Sequence, residues 1–379
     1  MKILVIGAGI GGLTTAIALR RQGHEVLVLE RAPQLQEVGA GLTLWPNAMR
    51  ALRQLRIADA VAAVGSPFTS SDIRSWRGEV LSQPPIRELE QRYGEVSIAL
   101  HRARLQRVLL DALDDGVLQL DAECCGFAQD AHGVTATLSD GRSEHGDMLI
   151  GADGIWSAIR AQLLGETLPR YAGYLALRAI VPSDYQGPVF EAWGQGRRFG
   201  VVPIGSGQVY WFATMNSSEE VSTQRVAKSA IVSRFRGWQA PIPALLESTQ
   251  EAAILQQPVY DRPPTTRWGE GRVTLLGDAA HPTTPNLGQG ACLAIEDAVA
   301  LAACLRGATD IAPALRAYES QRIKRTRAIV DLSWQIGKVG QIENKFACWL
   351  RDTAMKHIPK SAQLKQFTAV LGEDAQLAG

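Results

Sequence analysis

The first thirty residues, MKILVIGAGIGGLTTAIALRRQGHEVLVLE (residues 1–30), join two apolar runs through a glycine-rich turn and an amphipathic segment. KILVIG predicts a strand that is buried on both faces. LTTAIALRRQG predicts a helix that stops at Gly23, and HEVLVLE predicts a second strand that ends at Glu30. A strand, helix and strand within about 30 residues predict an α/β domain that binds a dinucleotide.

The turn of this unit fits the G-x-G-x-x-G fingerprint from Gly7 to Gly12. Gly7 allows the tight turn, Gly9 lets the backbone approach a pyrophosphate, and Gly12 lets helix and strand pack closely. The helix start offers free N–H groups to the phosphates. Glu30 is placed to accept hydrogen bonds from ribose hydroxyls and disfavours the 2′-phosphate of NADP on this unit. The motif alone leaves NAD and FAD as alternatives.

The composition predicts a soluble globular enzyme of two to three domains, since 46% of the 379 residues are apolar and 20% are charged. A net charge of +1 gives no indication of nucleic acid or an anionic membrane as a partner. The five cysteines contain no C-x-x-C pair and the six histidines no H-x-x-x-H pair. With no signal-peptide layout, these features predict a reducing, cytoplasmic protein without a structural metal.

Two further strand-to-helix junctions follow, GADG at residues 151–154 and GDAAHP at residues 277–282. Between residues 171 and 265, short aromatic-rich stretches predict an antiparallel sheet, interrupted by one helix in residues 224–238. The nucleotide-binding domain is therefore predicted to be discontinuous. After the third junction, the N–H groups of a glycine-rich helix start would stabilise negative charge on a reduced flavin, and glycine lets the backbone approach the ring.

The order and spacing of the three junctions resemble the FAD-dependent aromatic hydroxylases, the group A flavoprotein monooxygenases that include p-hydroxybenzoate, salicylate and FAD-dependent urate hydroxylases. The resemblance implies a Rossmann-like FAD-binding domain of the p-hydroxybenzoate hydroxylase type, an inserted antiparallel β-sheet substrate domain and C-terminal helices. The resemblance implies that the FAD-binding domain comprises residues 1–66, 98–166 and 267–345. The substrate domain would comprise residues 67–97 and 167–266, and the C-terminal helical segment residues 346–379. That last segment is expected to be a covering helix, with a membrane-surface helix as the alternative.

The resemblance also implies the chemistry. FAD is bound, NAD(P)H docks transiently to reduce it, and O₂ then hydroxylates an aromatic or heteroaromatic molecule through a flavin C4a-hydroperoxide. For Arg102, a solvated basic face is the alternative to contact with FAD. The implied cofactor-binding residues are Gly7, Gly9, Ile10, Gly11, Gly12, Glu30, Arg31, Thr43, Arg102, Cys124, Asp153, Asp278, Pro285, Gly288, Gln289, Gly290 and Ala291.

The substrate is expected to bind between the sheet and the flavin. Arg198 and Tyr210 resemble an arginine and a tyrosine of the urate hydroxylases and are the candidate substrate-positioning residues. A solvent-facing charge is the alternative for Arg198, and sheet packing is the alternative for Tyr210. Asn286 stands where those hydroxylases have an acid, which puts urate in doubt. The other candidate lining residues are Arg178, Trp193, Phe199 and Trp211.

Three alternatives to a hydroxylase stay open. The first two, an FAD-dependent dehydrogenase and an epoxidase, use the same fold. The third is a non-catalytic binder of the GDP-dissociation-inhibitor type, which the intact Glu30, Asp153 and Asp278 disfavour. The halogenase motif W-x-W-x-I-P is absent from the sequence. A monomer or a homodimer is expected.

Overall fold

The computed structural model describes residues 1–35 and 40–372. Within them the helices are α1 Ile10–Arg20, α2 Pro46–Gln54, α3 Ala58–Ala63, α4 Ile86–Tyr93, α5 Arg102–Asp111, α6 Ala158–Leu164, α7 Glu219–Ser222, α8 Lys228–Arg234, α9 Ile242–Ser248, α10 Gly290–Leu305, α11 Ile311–Gly340, α12 Lys345–Lys356 and α13 Lys360–Leu371. Short 3₁₀ turns cover Glu251–Ala253, Gly277–Ala279 and Pro285–Leu287.

The strands are β1 Lys2–Ile6, β2 Glu25–Leu29, β3 Gly41–Leu44, β4 Ser66–Pro67, β5 Ser71–Ser75, β6 Val80–Ser82, β7 Ile98–His101, β8 Leu118–Gln119, β9 Cys124–Gln129, β10 Val134–Leu138, β11 Ser143–Gly146, β12 Met148–Gly151, β13 Arg170–Pro182, β14 Val189–Trp193, β15 Arg197–Pro203, β16 Gln208–Asn216, β17 Leu255–Asp261, β18 Gly269–Glu270 and β19 Val273–Leu275. They form four sheets.

The first sheet has the order β18-β19-β12-β1-β2-β8, and its pairs are parallel except for β18 with β19. Its central strands are apolar and buried because helices such as α1 and α11 contact it. The predicted α/β fold with a parallel sheet is confirmed. Strands from the beginning, middle and end of the chain lie side by side in this sheet, so its three strand-to-helix junctions share one edge.

Backbone hydrogen bonds hold these three junctions together. Gly7 N donates to Leu29 O at 2.8 Å, Ala152 N to Ile6 O at 2.8 Å, and Leu276 N to Gly151 O at 2.9 Å. Each bond ties the first residues after one strand to the end of its neighbour. The segments that begin 270 residues apart in sequence therefore meet in one cleft.

A seven-stranded sheet has the order β17-β13-β16-β15-β14-β5-β6. Its pairs are antiparallel as predicted, except that β14 and β5 run parallel. The single helix predicted at residues 224–238 is wrong in extent, because α8 covers only Lys228–Arg234 and lies between α7 and α9. Strands β5 and β6 extend a sheet built from residues 170–261, and the predicted domain division stays a prediction.

A buried charge cluster fastens α10 to α11. Arg322 lies 2.6 Å from Asp297 and 2.8 Å from Glu296, and Arg325 lies 2.7 Å from Glu296. Asp297 and Glu296 are inaccessible to solvent, so each carboxylate depends on these cations. This cluster was not predicted from the sequence.

The two C-terminal helices differ in exposure. Leu371 of α13 is buried, and the Tyr93 hydroxyl donates to Gly372 O at 2.5 Å. The large apolar side chains Phe346, Trp349 and Leu350 of α12 are exposed. In the described ranges, no helix is both long and apolar enough to cross a membrane. Residues 373–379 of the predicted C-terminal segment lie outside the described residues.

Replacing Arg322 with Met should lower the free energy of unfolding by about 3–5 kcal/mol, because two buried carboxylates lose their shared cation. Arg327→Met is the matched control, since Arg327 pairs with Asp331 at 3.8 Å on the surface. Arg327→Met should lower the free energy of unfolding by less than about 1 kcal/mol. Urea unfolding of the two variants measures both values, and equal destabilisation would contradict the structural role of the buried cluster.

Candidate active site and cofactor cleft

One cavity of about 450 Å³ lies between the shared edge of the parallel sheet and the seven-stranded sheet. Its size is that of a typical small-molecule site. The predicted site residues that line it are Gly9, Ile10, Gly11, Thr43, Arg102, Asp278, Pro285, Gly288, Gly290, Ala291, Arg198 and Tyr210. The cavity therefore joins the predicted cofactor residues to both candidate substrate-positioning residues.

The glycine-rich turn is shaped by contacts that only glycine permits. Gly7 has a φ of +101°, and a Cβ on it would lie 2.6 Å from the Ala152 carbonyl oxygen. A Cβ on Gly12 would overlap the carbonyl oxygen of Gly7. On Gly11 it would lie 2.8 Å from the Leu276 side chain. By contrast, a Cβ on Gly9 would meet no atom within 4 Å, so the space beside Gly9 is open to a ligand.

Glu30 sits beside this turn at the end of β2. Its carboxylate accepts from Ala8 N at 2.7 Å and from Ala32 N at 2.9 Å. These bonds fix the carboxylate next to the glycine-rich turn while leaving lone pairs for further donors. The position fits the predicted contact with a ribose.

The third junction is fixed by Asp297. Its Oδ2 lies 2.5 Å from His281 Nε2 and accepts from Gly277 N at 3.1 Å, and Arg322 Nε donates to its Oδ1 at 2.6 Å. Burial alone would raise the pKa of Asp297, but His281 and Arg322 lower it to about 2. The turn from residue 277 to residue 281 is thereby held against α10.

Asp278 projects from this turn into the cavity. No hydrogen bond or ion pair to its carboxylate exists within residues 1–35 and 40–372. The Asp278 side chain is exposed to the open cavity. The surrounding protein desolvates its carboxylate and raises its pKa, and the charges of His281 and Arg102 oppose this rise. A carboxylate left without protein donors in a cleft fits a ligand that supplies hydroxyl donors, such as a ribityl chain.

The start of α10 faces the same space. Gly288 has a φ of +62°, and a Cβ on it would lie 3.1 Å from Thr43 Oγ1. A Cβ on Gly290 would meet nothing closer than 3.7 Å. The Gln289 side chain is buried instead, where its Oε1 accepts from Asn47 Nδ2 at 3.0 Å. Backbone N–H groups, rather than side chains, are therefore what this helix start presents to a ligand.

Seven predicted cofactor residues do not line the cavity: Gly7, Gly12, Glu30 and Gln289, which are described above, and Asp153, Cys124 and Arg31. Asp153 accepts from Ser157 Oγ at 2.6 Å and from Ala158 N at 2.9 Å, so its carboxylate caps α6. The Cys124 thiol is buried in β9, and burial raises its pKa to about 11. Arg31 is exposed just after β2. Their predicted roles toward the cofactor stay predictions.

Arg198 is not a solvent-facing charge, since only 2% of it is exposed. Its guanidinium donates to Glu191 Oε1 at 3.0 Å, to Asn286 Oδ1 at 2.5 Å and to Gln341 Oε1 at 3.3 Å. Glu191 and Asn286 line the cavity together with Arg198. These residues form the polar end of the cavity on the side of the seven-stranded sheet.

The period-two prediction for β16 agrees with the structure. Tyr210 and Phe212 line the cavity, while Trp211 is buried on the other face of the sheet and stacks on Phe199 at 5.2 Å between ring centroids. Phe199 and Trp211 are therefore wrong as lining candidates, because they belong to the core behind the sheet. Trp193 is also buried and does not line the cavity. Arg178, the remaining candidate, does.

Tyr210 has a hydroxyl without a hydrogen-bond partner in the described parts of the chain. Burial raises the pKa of this phenol, so the hydroxyl keeps its proton and can donate. The ring packs on Gly41, where a Cβ would overlap it. Tyr210 thus combines a packing contact with a free donor toward the cavity.

The residues that shape the polar end were not predicted from the sequence. Glu191 is a charge within the apolar stretch VFEAW, a signal that could have marked it. On Gly337, a Cβ would lie 2.5 Å from Asn286 Nδ2, and on Gly340 it would lie 2.9 Å from Arg198 Cδ. Two glycines three residues apart inside a long helix were the available sign of this close approach.

The fold and the cleft define a flavoprotein whose dinucleotide site opens onto a substrate pocket. The family model described as "FAD binding domain" matches residues 1–333, and the chain belongs to that family. It is similar to the aurachin C monooxygenase/isomerase of Stigmatella aurantiaca, with 46% identity over 362 residues and 94% of each chain covered. It is also similar to the FAD-dependent urate hydroxylase of Klebsiella pneumoniae, with 38% identity over 337 residues, 87% of this chain and 88% of that one.

A solved structure agrees with these relatives. The crystal structure of Klebsiella pneumoniae HpxO in complex with FAD and uric acid superposes with a TM-score of 0.91 at 32% identity, covering 98% of this chain and 96% of that one. The predicted family, the fold of the p-hydroxybenzoate hydroxylase type, the FAD cofactor and the class of FAD-dependent monooxygenase are confirmed.

Replacing Gly9 with Ala should leave the fold intact and weaken FAD binding by at least about tenfold. Its backbone, with φ −70° and ψ 178°, suits alanine, and the methyl group enters only the open space of the cleft. Gly12→Ala is the contrast, because its methyl group would overlap backbone and should prevent folding. Circular dichroism and FAD titration separate the two effects, and undiminished FAD affinity in Gly9→Ala would contradict the placement.

Replacing Asp278 with Asn should weaken FAD binding by about tenfold while stabilising the apoprotein at pH 7. The raised pKa of Asp278 means that its ionised form costs stability above the folded-state pKa. This loss of stability disappears as the pH falls below about 3.9, the pKa of an aspartate in the unfolded chain. Thermal unfolding of both apoproteins between pH 7 and about pH 4 measures the difference. A less stable Asp278→Asn apoprotein would contradict this account.

Proposed function

We propose that the protein is an NAD(P)H-dependent monooxygenase that hydroxylates an aromatic or heteroaromatic small molecule with O₂. The observation that carries this proposal is a cavity that joins the glycine-rich turn and Asp278 to Arg198 and Tyr210. Bound FAD, once reduced by NAD(P)H, supplies the activation of O₂ and the transfer of one oxygen atom. Of the relatives, the Klebsiella pneumoniae enzyme hydroxylates urate, and an enzyme of Streptomyces cremeus is a 3-amino-4-hydroxybenzoate 2-monooxygenase.

The residues present fit the cofactor. Open space beside Gly9 and the N–H groups at the start of α1 would accept the pyrophosphate, and Glu30 would hold the adenosine ribose. Asp278 accepts from no donor within residues 1–35 and 40–372 and would hold the ribityl chain. The N–H groups at the start of α10 would stabilise negative charge on the reduced ring.

The chain's own contribution to the reaction is to place the substrate and to exclude water. Arg198, fixed by Glu191 and Asn286, would hold a polar group of the substrate at the sheet end of the cavity. Tyr210 would donate its hydroxyl hydrogen to the substrate, and Phe212 would pack against an aromatic ring. When a cofactor carries out the chemistry, positioning of the substrate is the protein's main contribution to catalysis. The cytoplasmic location and the monomer or homodimer state stay predictions.

The test is a panel of aromatic acids, purines and quinolones added to the FAD-loaded protein with NADH or NADPH. At least one compound should stimulate NAD(P)H oxidation together with O₂ uptake and give a product heavier by one oxygen atom. Arg198→Gln should lower kcat/KM for that compound by on the order of 100-fold, because the substrate loses the fixed N–H donors of the guanidinium. Arg327→Gln, on the surface, is the matched control and should change nothing.

Two outcomes would overturn this proposal. Substrate-dependent NAD(P)H oxidation without O₂ uptake would indicate the dehydrogenase. A reducible flavin with no oxygenated product from any compound would remove the monooxygenase proposal altogether.

A further inference from the structure

The polar end of the cavity carries two opposite charges that cancel. Arg198 is buried and lies 3.0 Å from Glu191, and both residues line the cavity. Asn286, the third polar group, is neutral, so it accepts a hydrogen bond from Arg198 without adding charge. The end of the cavity that receives the substrate is therefore polar but has no net charge.

Further hydrogen bonds hold Asn286, whose Oδ1 also accepts from the Tyr174 hydroxyl at 3.2 Å. Asn286 Nδ2 donates to Thr284 Oγ1 at 2.8 Å and to Ser333 O at 2.9 Å, which fixes its amide with the oxygen toward Arg198. Arg198 uses three N–H groups on Glu191, Asn286 and Gln341, and a guanidinium has five. N–H donors are thus left on Arg198 beside the carboxylate acceptor of Glu191.

Two more cations, Arg102 and Arg178, line the cavity. Arg102 acts electrostatically on the Asp278 carboxylate, so its charge belongs to the cofactor side of the cavity. Arg178 is the one on the seven-stranded sheet. Its NH1 donates to Gln257 Oε1 at 3.0 Å among exposed atoms, so solvent screens its charge. It sits on β13 opposite Phe212 of β16, whereas Arg198 on β15 lies opposite Thr214. Arg178 therefore does not give the buried end of the cavity a net positive charge.

We infer that the pocket selects an uncharged heteroaromatic ring carrying a cyclic amide, and rejects rings that carry a carboxylate at the buried end; this inference rests on the proposed function. An amide C=O accepts from Arg198 while an adjacent N–H donates to Glu191. A carboxylate would lose its hydration and meet an arginine that is already neutralised, and Glu191 would repel it. Glu191 is the specificity-determining residue, because it supplies both the acceptor and the repulsion.

The test measures binding to the oxidised, FAD-loaded protein through the change in flavin absorbance, without NAD(P)H and without turnover. The probes are 2-quinolone, a neutral cyclic amide, and quinoline-2-carboxylate, an anion of similar shape. The wild-type protein should bind 2-quinolone at least tenfold more tightly. Glu191→Gln should shift the ratio of the two dissociation constants toward the carboxylate by on the order of tenfold or more, because Arg198 then carries an unopposed charge.

Glu88→Gln, on the exposed face of α4, is the matched control and should leave the ratio unchanged. FAD content and circular dichroism establish that Glu191→Gln is folded; if it is not, the wild-type ratio alone decides. Equal or tighter binding of the carboxylate to the wild-type protein would overturn the inference, as would an unchanged ratio in a folded Glu191→Gln. This test measures binding and not turnover. If 2-quinolone binds tightly here but gives no oxygenated product in the turnover assay, the proposed function would be contradicted for this compound and the inference on binding would not.

Discussion

The carboxylate of Asp297 is the interaction on which the cofactor cleft depends. From inside α10 it accepts from Gly277 N and contacts His281, so it sets the path of the turn that carries Asp278. Arg322 of α11 compensates its charge, which keeps the pKa of Asp297 low despite complete burial. A buried ion of this kind stabilises only if every partner is present. The position of Asp278 and the start of α10 therefore both follow from one buried carboxylate.

The same region couples the cofactor cleft to the substrate end. Asn286 belongs to the turn before α10, yet it bonds Arg198 of the seven-stranded sheet and Ser333 of α11. The glycines Gly337 and Gly340 let α11 approach both side chains closely. The polar end of the pocket is thus fastened to the turn that faces the flavin position, and a substrate held by Arg198 is placed relative to the cofactor by rigid elements.

The parts of the fold that rest on local chemistry were predictable from the sequence. Gly7 to Gly12 and the acid at Glu30 specify their turn by backbone sterics alone, and alternation in β16 separated Tyr210 from Trp211. What escaped prediction depends on contacts between distant segments. Glu191 contacts Arg198 only because β14 pairs with β15. No sequence spacing predicts the hydrogen bond of Asn286 to the same guanidinium.

The central claim is that two segments 270 residues apart form one site for one dinucleotide. Calorimetric titration of the apoprotein with FAD and with FMN tests it most directly, because FMN has the ribityl chain and the flavin but not the adenosine. The account predicts that FAD binds at least about 100-fold more tightly, or about 2.7 kcal/mol, since Glu30 and the glycine-rich turn then contribute together with Asp278 and α10. Equal affinities for the two ligands would contradict it.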